Sequence, residues 1–152
     1  MMAQQDSQQT IHASCVAIDG RAVLLMGPSG AGKSDLALRL IDRGASLVSD
    51  HYTGLAPSPH GELIANAPAT IAGMIEVRGL GIVSFPCVSH MPVALAVELT
   101  GEVERLPQTP LTAQVAGVVL PLMKVAPFEA SAPIKVELML RQLSARSNGH
   151  AA

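Results

Sequence analysis

The feature that most constrains the fold is a glycine-rich loop between an apolar segment and an amphipathic one. It fits the pattern G-x-x-x-x-G-K-[ST], follows the apolar residues 22–26 and opens into helical spacing. Glycines let the backbone wind closely round phosphate oxygens, so that successive N–H groups and a helix N-terminus face the anion. This segment, called the glycine loop below, consists of Gly27, Pro28, Ser29, Gly30, Ala31, Gly32, Lys33 and Ser34. It predicts a binding site for nucleotide phosphates.

Three residue types in and after this loop suit phosphoryl transfer. In such loops the lysine, here Lys33, meets the β and γ phosphates of ATP, and the hydroxyl of Ser34 binds Mg²⁺. Asp50 ends the next apolar segment, where a carboxylate on the metal side of a nucleotide commonly sits. Taken alone, Asp50 would fit a turn equally well; with the glycine loop upstream, we favour the metal role. The pattern predicts an ATP-using, Mg²⁺-dependent phosphotransferase.

The segment before the glycine loop predicts a β-hairpin. Residues 11–18 and 22–26 are apolar and extended, and Asp19-Gly20 between them is a strong two-residue turn signal. With that turn, paired positions sum to 39, so Val16 faces Val23. The same register carries His12 to a position opposite Gly27, and we expect His12 beside the glycine loop.

The remaining pattern predicts one α/β domain with a mixed sheet. Spacing predicts helices over 33–43, capped by Gly44, and over 134–146. Residues 11–146 form the expected domain, with disordered tails over 1–10 and 147–152. We expect strands over 45–49, 62–64, 74–77, 82–85, 93–99 and 116–125, the last broken at Pro121.

Composition and charge narrow the classes of partner. There are 10 basic and 12 acidic side chains, with no basic run longer than a pair, which argues against nucleic acid as a partner. The longest apolar stretches fall short of the roughly 20 residues that cross a bilayer. Residues 1–10 are polar and lack the apolar core of a secretory signal. We therefore expect a cytoplasmic protein without a membrane segment.

Several ordered motifs together resemble the catalytic domain of bacterial HPr kinase/phosphorylase. They are Ile11-His12, the loop sequence GPSGAGKS, the strand LVSD and the segment 68–73 that leads into the next motif. The most specific motif is IEVRGLGI at 75–82. The similarity runs from about residue 11 to about residue 146. The glycine loop alone is shared by many nucleotide-binding proteins, whereas this order of motifs is specific.

The resemblance implies a serine kinase that transfers phosphate from ATP to the phosphocarrier protein HPr. It implies a P-loop fold related to phosphoenolpyruvate carboxykinase, and assembly into a homo-oligomer, a hexamer in the family. Carried over to this chain, it places His12 and Lys33 at the active site, matches Arg105 to an active-site arginine, and gives Mg²⁺ to Ser34 and Glu76.

The chain departs from the family at three places. We expect the short form seen in some proteobacteria, without the separate N-terminal domain that is usual in the family. His51 follows Asp50 where the family has a second acid, its usual proton-transfer residue. Segment 126–133 replaces a basic loop associated with dephosphorylation, so we expect kinase rather than phosphorylase chemistry. Two alternatives stay open: a P-loop kinase of a small metabolite, and a catalytically impaired nucleotide-binding regulator.

Overall fold

The computed structural model describes residues 8–151, with side chains of the last helix described as far as residue 146. This part of the chain forms two α-helices, α1 (Lys33–Asp42) and α2 (Ala132–Ala151), and a short 3-10 helix over Ala69–Ile71. Its strands are β1 (Gln9–Ile11), β2 (Ala13–Ile18), β3 (Arg21–Met26), β4 (Ser46–Ser49), β5 (Thr53–Pro57), β6 (Leu63–Asn66), β7 (Met74–Val77), β8 (Gly81–Ser84), β9 (Met91–Leu99), β10 (Leu111–Val115) and β11 (Val118–Val125).

Nine of the described strands form one mixed sheet. Its main order is β1-β5-β6-β9-β3-β2-β4, and β11 pairs with both β9 and β10. The ladders β3 with β9 and β9 with β11 are parallel, whereas β2 is antiparallel to both β3 and β4. Strands β7 and β8 form a separate hairpin. The predicted α/β class, with a mixed sheet and a C-terminal helix, is confirmed.

The predicted hairpin before the glycine loop is confirmed in register. Val16 faces Val23, and Ala13 faces Met26 at the open end of the ladder. Asp19 has φ 52, a left-handed conformation that two-residue hairpin turns require. The predicted single strand over 11–18 is wrong, because the chain bends at His12 and β1 pairs with β5 instead. That bend leaves His12 at the end of the sheet where the glycine loop begins.

Helix α1 carries the glycine loop at its N-terminus and packs on the sheet through an apolar face. Leu36, Ala37 and Leu40 are fully buried on that face, in a core that includes side chains of α2. Each fully buried leucine contributes roughly 1.5–3 kcal/mol relative to an exposed one. The helix ends before Gly44, whose φ of 115 suits a left-handed cap, as predicted. This packing fixes where the loop lies relative to the sheet.

Two strand predictions were wrong in the second half of the chain. β10 was missed: Leu111–Val115 pairs with β11 through an Ala116-Gly117 turn, and alanine at φ 50 is not a usual turn signal. The predicted break at Pro121 does not occur. Pairing of β11 with β9 begins only after it, so the missing N–H of Pro121 interrupts no bond of that ladder.

The ends of the chain differ in extent from the sequence expectation. The tail predicted over 1–10 lies mostly outside the described residues, but β1 begins within it at Gln9. Helix α2 begins at Ala132 and continues to Ala151, past the expected end at Arg146 and through most of the predicted tail over 147–152. Within the described residues, no helix combines the length and apolar character needed to cross a membrane.

Candidate active site

A cleft of about 620 Å³ opens at the N-terminus of α1. It gathers residues from the glycine loop, from the bend before β2, from the end of β4, from the β7–β8 hairpin and from the segment before α2. Its size suits a nucleotide-sized ligand. The lining residues are His12, Ser29, Gly30, Gly32, Lys33, Ser34, Asp35, Leu38, His51, Glu76, Val77, Arg78 and Phe128.

The glycine loop depends on backbone conformations that favour glycine. Gly30 and Gly32 have φ values of 85 and 100, and a Cβ on Gly32 would lie 3.0 Å from the Phe128 ring. The Ala31 N–H donates to Pro28 O at 3.0 Å, closing a turn within the loop. Among the described residues, no side chain caps the first turn of α1. The N–H groups at this helix end are therefore available to an anion in the cleft.

Lys33 is held against the loop that precedes it. Its side chain is buried, and Nζ donates to the carbonyl oxygens of Gly27 at 2.7 Å and Pro28 at 2.9 Å. Burial lowers the pKa of the Lys33 ammonium, and the charge of Asp50 acts in the opposite direction. An anionic ligand would favour the charged form further. The ammonium group therefore lies at the cleft, fixed by two carbonyl groups of the loop.

Asp50 is a buried carboxylate with three hydrogen-bond donors. Oδ1 accepts from the hydroxyls of Ser34 at 2.7 Å and Ser14 at 2.8 Å, and Oδ2 accepts the Glu76 N–H at 3.0 Å. The Asp50 side chain is only 2% exposed, so these bonds replace the water that an ionised carboxylate needs. They fix Asp50 in one orientation behind Ser34. Ser34 and Asp50, predicted as a pair, are in direct contact.

His51 and Glu76 stand in front of Asp50 and, with it, form what we call the carboxylate wall. His51 Nε2 lies 2.8 Å from Glu76 Oε1 and 3.5 Å from Asp50 Oδ2. His51 has φ 66, and the Tyr52 N–H bonds back to the Asp50 carbonyl at 2.7 Å. This tight turn places the imidazole at the cleft, partly exposed, while Asp50 stays buried beneath it.

Comparison with known proteins identifies the family. The sequence model of the family described as the HPr serine kinase C-terminal domain matches residues 3–152. The chain belongs to the HPr kinase family. An HPr kinase/phosphorylase of Bordetella pertussis is 34% identical in an alignment 128 residues long, which covers 76% of this chain and 41% of that protein. One of Clostridium tetani is 38% identical over 98 residues, or 64% and 32% of the two chains. The chain thus spans less than half the length of these curated relatives.

A solved member of the HPr kinase family has the same fold over nearly its whole length. The HPr(Ser) kinase/phosphatase of Coxiella burnetii superposes with a TM-score of 0.79 at 30% identity, covering 94% of each chain. This agreement extends to the mixed sheet and the C-terminal helix described above. The family resemblance drawn from the order of the motifs is therefore confirmed.

The predicted site residues fall into two groups in this HPr kinase domain. His12, Lys33, Ser34, His51 and Glu76 line the cleft, with Asp50 directly behind it and His12 near Tyr52 at 5.3 Å between ring centroids. Arg105 does not join them: it lies in the exposed segment between β9 and β10 and is not among the cleft-lining residues.

The residues of the site that were not among the predicted ones include an arginine, an aromatic side chain and a buried hydroxyl. Arg78 and Phe128 line the cleft, and Ser14 holds Asp50 from behind. Arg78 stands in the IEVRGLGI motif, which was a signal for it. Ser14 is a hydroxyl inside an apolar strand two positions after His12, and that pattern could have revealed it. No sequence pattern pointed to Phe128, because the position of its ring beside Gly32 joins distant parts of the chain.

The donor set of the cleft fits a small, hard cation bound together with phosphate. Hydroxyl and carboxylate oxygens are the ligands that Mg²⁺ takes from proteins, usually one or two of them beside phosphate and water. Ser34 and Glu76 present such oxygens at the cleft, and Asp50 orients Ser34 from behind. Among the side chains that the structure describes, no group of three or more His, Cys, Asp or Glu is arranged as a metal site.

Proposed function

We propose that this chain transfers the γ-phosphoryl group of ATP to a serine of the phosphocarrier protein HPr, with Mg²⁺. One observation carries the proposal: the loop lysine, Lys33, and the Ser34–Asp50 pair meet in one cleft at the N-terminus of α1. The relatives are named HPr kinase/phosphorylase, which supports phosphoryl transfer as the reaction and HPr as the protein substrate. We also infer that the domain is of the P-loop, phosphoenolpyruvate carboxykinase-like type, which the hairpin before the loop supports.

The loop side of the cleft suits the phosphates of ATP. Backbone N–H groups at the start of α1 and the ammonium of Lys33 are positive groups at one place, where phosphate oxygens gather negative charge during transfer. Mg²⁺, when bound, neutralises charge on the β and γ phosphates. Ser34 and Glu76 would hold the cation. Asp50 accepts the Ser34 proton in a hydrogen bond, which leaves the lone pairs of the hydroxyl for the cation. Such fixed charges stabilise a phosphoryl-transfer transition state without reorganising water.

His51 is our candidate for the group that accepts the serine proton. The carboxylate of Glu76 can only accept a hydrogen bond when ionised, so His51 Nε2 must donate in their 2.8 Å contact. A neutral His51 ring then has Nδ1 as its free acceptor. As the serine oxygen bonds to the γ-phosphorus and the bond to ADP breaks, the serine proton would pass to Nδ1.

Incubation of the purified chain with HPr and γ-labelled ATP tests the proposal. We expect label on a serine of HPr in the wild type and none with Lys33→Ala. A chain that binds ATP but labels nothing would act as the nucleotide-binding regulator. Label on a small metabolite rather than on HPr would favour the metabolite kinase.

We further infer that kinase chemistry outweighs phosphorolysis. Phosphorolysis brings a phosphate dianion beside phosphoserine, and such like charges need cationic neighbours. Segment 126–133 holds one charged residue, Glu129, and that residue is acidic and paired with Lys135 at 3.1 Å. Phospho-HPr in millimolar phosphate should therefore lose its phosphate slowly. Rapid phosphate-dependent loss would contradict this inference.

We infer a homo-oligomer, with the hexamer as the state implied by the family. Leu80 and Ile82 on the β7–β8 hairpin are 78% and 65% exposed. Two large apolar side chains exposed on one short hairpin support an interaction surface at that hairpin. Light scattering of the purified chain measures the state directly, and a monomer at micromolar concentration would contradict the inference.

A further inference from the structure

Ser14 is a buried hydroxyl in an otherwise apolar strand. Its neighbours Ala13, Cys15 and Val16 are fully buried, and so is Ser14. A hydroxyl in such surroundings costs free energy unless it is hydrogen-bonded. Ser14 Oγ donates to Asp50 Oδ1 at 2.8 Å and accepts the N–H of His51 at 3.4 Å. Both of its partners belong to the carboxylate wall, 36 and 37 residues further along the chain.

Ser14 and Ser34 share one oxygen of Asp50. Both hydroxyls donate to Oδ1, at 2.8 and 2.7 Å, while the backbone N–H of Glu76 holds Oδ2. Because the Ser34 proton points to Asp50, the lone pairs of Ser34 are left for the cleft. The orientation of Ser34 therefore depends on where Oδ1 is held, and Ser14 is the donor that holds it from the side of the sheet.

We infer that Ser14 is a positioning residue for metal-dependent nucleotide binding. It fixes Asp50 so that the Ser34 hydroxyl turns its lone pairs toward a cation in the cleft, and it ties the backbone of His51 to the same point. The inference rests on the proposed function only in that Mg²⁺ and a nucleotide bind in this cleft. Ser14 touches neither; it acts through Asp50 and Ser34.

Thr53 provides a matched control for the loss of a buried hydroxyl. It is fully buried, and its Oγ1 donates to the carbonyl of Ala13, the residue before Ser14, at 2.8 Å. Thr53→Val keeps the shape of the side chain and removes one buried hydrogen bond. None of the hydrogen bonds of Thr53 reaches Asp50 among the described residues. An effect that comes only from the loss of a buried hydroxyl should therefore appear with Thr53→Val as well as with Ser14→Ala.

The experiment is calorimetric titration of the intact chain with adenylyl imidodiphosphate at a series of Mg²⁺ concentrations. For Ser14→Ala we expect the Mg²⁺ concentration that gives half-maximal binding to rise about tenfold, the lower end of the effect of residues that orient metal ligands. Binding without Mg²⁺ should change less than about twofold, because the loop is untouched. Ser14→Thr keeps the hydroxyl and should restore the Mg²⁺ dependence of the wild type.

Either of two results with the variants would overturn the inference. One is a Ser14→Ala chain with the Mg²⁺ dependence of the wild type. The other is a Thr53→Val chain whose Mg²⁺ dependence shifts as much as that of Ser14→Ala. Thermal unfolding of both variants shows whether each is folded at the titration temperature. A wild type that binds the Mg²⁺-analogue complex but does not label HPr would overturn only the proposed transfer. A wild type that does not bind the complex would overturn both.

Discussion

The two walls of the cleft are held in place by different kinds of contact. The glycine loop is held by its own backbone and by Lys33, whose bonds to Gly27 and Pro28 span at most 6 residues of sequence. The carboxylate wall is held by bonds between distant segments: Asp50 meets Ser14 across 36 residues and the Glu76 N–H across 26. The loop is thus a local structure, whereas the wall exists only once the sheet has formed.

Because the glycine loop is held by local contacts and the carboxylate wall by long-range ones, we expect the two walls to contribute different functions. A loop that carries its own geometry can bind phosphate in many folds, which is why the motif is widespread. A wall assembled from β2, β4 and β7 is particular to one topology, and under the proposed function its side chains would set the metal position and accept the serine proton. Substitutions in the loop should therefore affect nucleotide binding and transfer together. Substitutions in the wall should affect metal dependence and the proton acceptor separately.

Removing the loop lysine should have the largest effect. We expect Lys33→Ala to lower the rate of HPr phosphorylation at least about 100-fold, because a buried, fixed positive charge near the developing phosphate charge is lost. Lys124→Ala, on the exposed face of β11, is the control and should keep the wild-type rate. Initial rates with labelled ATP measure both. A Lys33→Ala chain with wild-type turnover would remove the glycine loop from the active site.

The corresponding substitution in the carboxylate wall is Glu76→Gln. It removes one anionic oxygen near the expected Mg²⁺ position and weakens the partner of His51 at 2.8 Å. We expect the Mg²⁺ concentration for half-maximal activity to rise about tenfold, with a smaller change in the Km for ATP. Glu62→Gln, exposed and outside the cleft, is the control. Unchanged metal dependence would exclude Glu76 from the metal site.

Gly32→Ala, which adds a single methyl group, tests whether nucleotide binding by the glycine loop depends on its backbone conformation. Gly32→Ala would place a side chain at φ 100, with its Cβ 3.0 Å from the Phe128 ring. The left-handed conformation should lower the free energy of unfolding by about 1–2 kcal/mol. Gly20→Ala, at φ 76 with open space around it, is the control for this strain. Denaturant unfolding should show a loss for both variants, larger for Gly32→Ala because of the Phe128 ring, and only Gly32→Ala should weaken binding of the ATP analogue. Equal binding by both would mean that the loop tolerates distortion.

How much of each wall could be predicted follows from the same distinction. The loop and its hairpin were predictable because Asp19-Gly20 sets the register and the loop motif is contiguous. Asp50 and Glu76 were identified from a strand end and a family motif, but nothing in the sequence states that they meet. The long-range contacts of Ser14 with Asp50 and of Phe128 with Gly32 depend on topology. Such contacts cannot be found from local patterns in one sequence.

The smallest effect, and the sharpest test of the carboxylate wall, concerns His51. His51→Asp restores the two consecutive acids typical of the family, and aspartate tolerates the φ of 66 found here better than most residues. An aspartate at this position stays unprotonated near neutral pH and remains available as a base. We therefore expect His51→Asp to phosphorylate HPr a few-fold faster near neutral pH.

His51→Asn is the matched control, because asparagine has the shape of aspartate, suits the same backbone conformation and cannot accept the serine proton as a base. It should be slower than both the wild type and His51→Asp, which would assign the effect to proton transfer rather than to shape. The contrary result is equally informative. If His51→Asp is slower than the wild type at every pH, the bond between His51 Nε2 and Glu76 Oε1 is part of the working acceptor. In that case Glu76 serves the proton as well as the metal, and Glu76→Gln should then lower the rate even at saturating Mg²⁺.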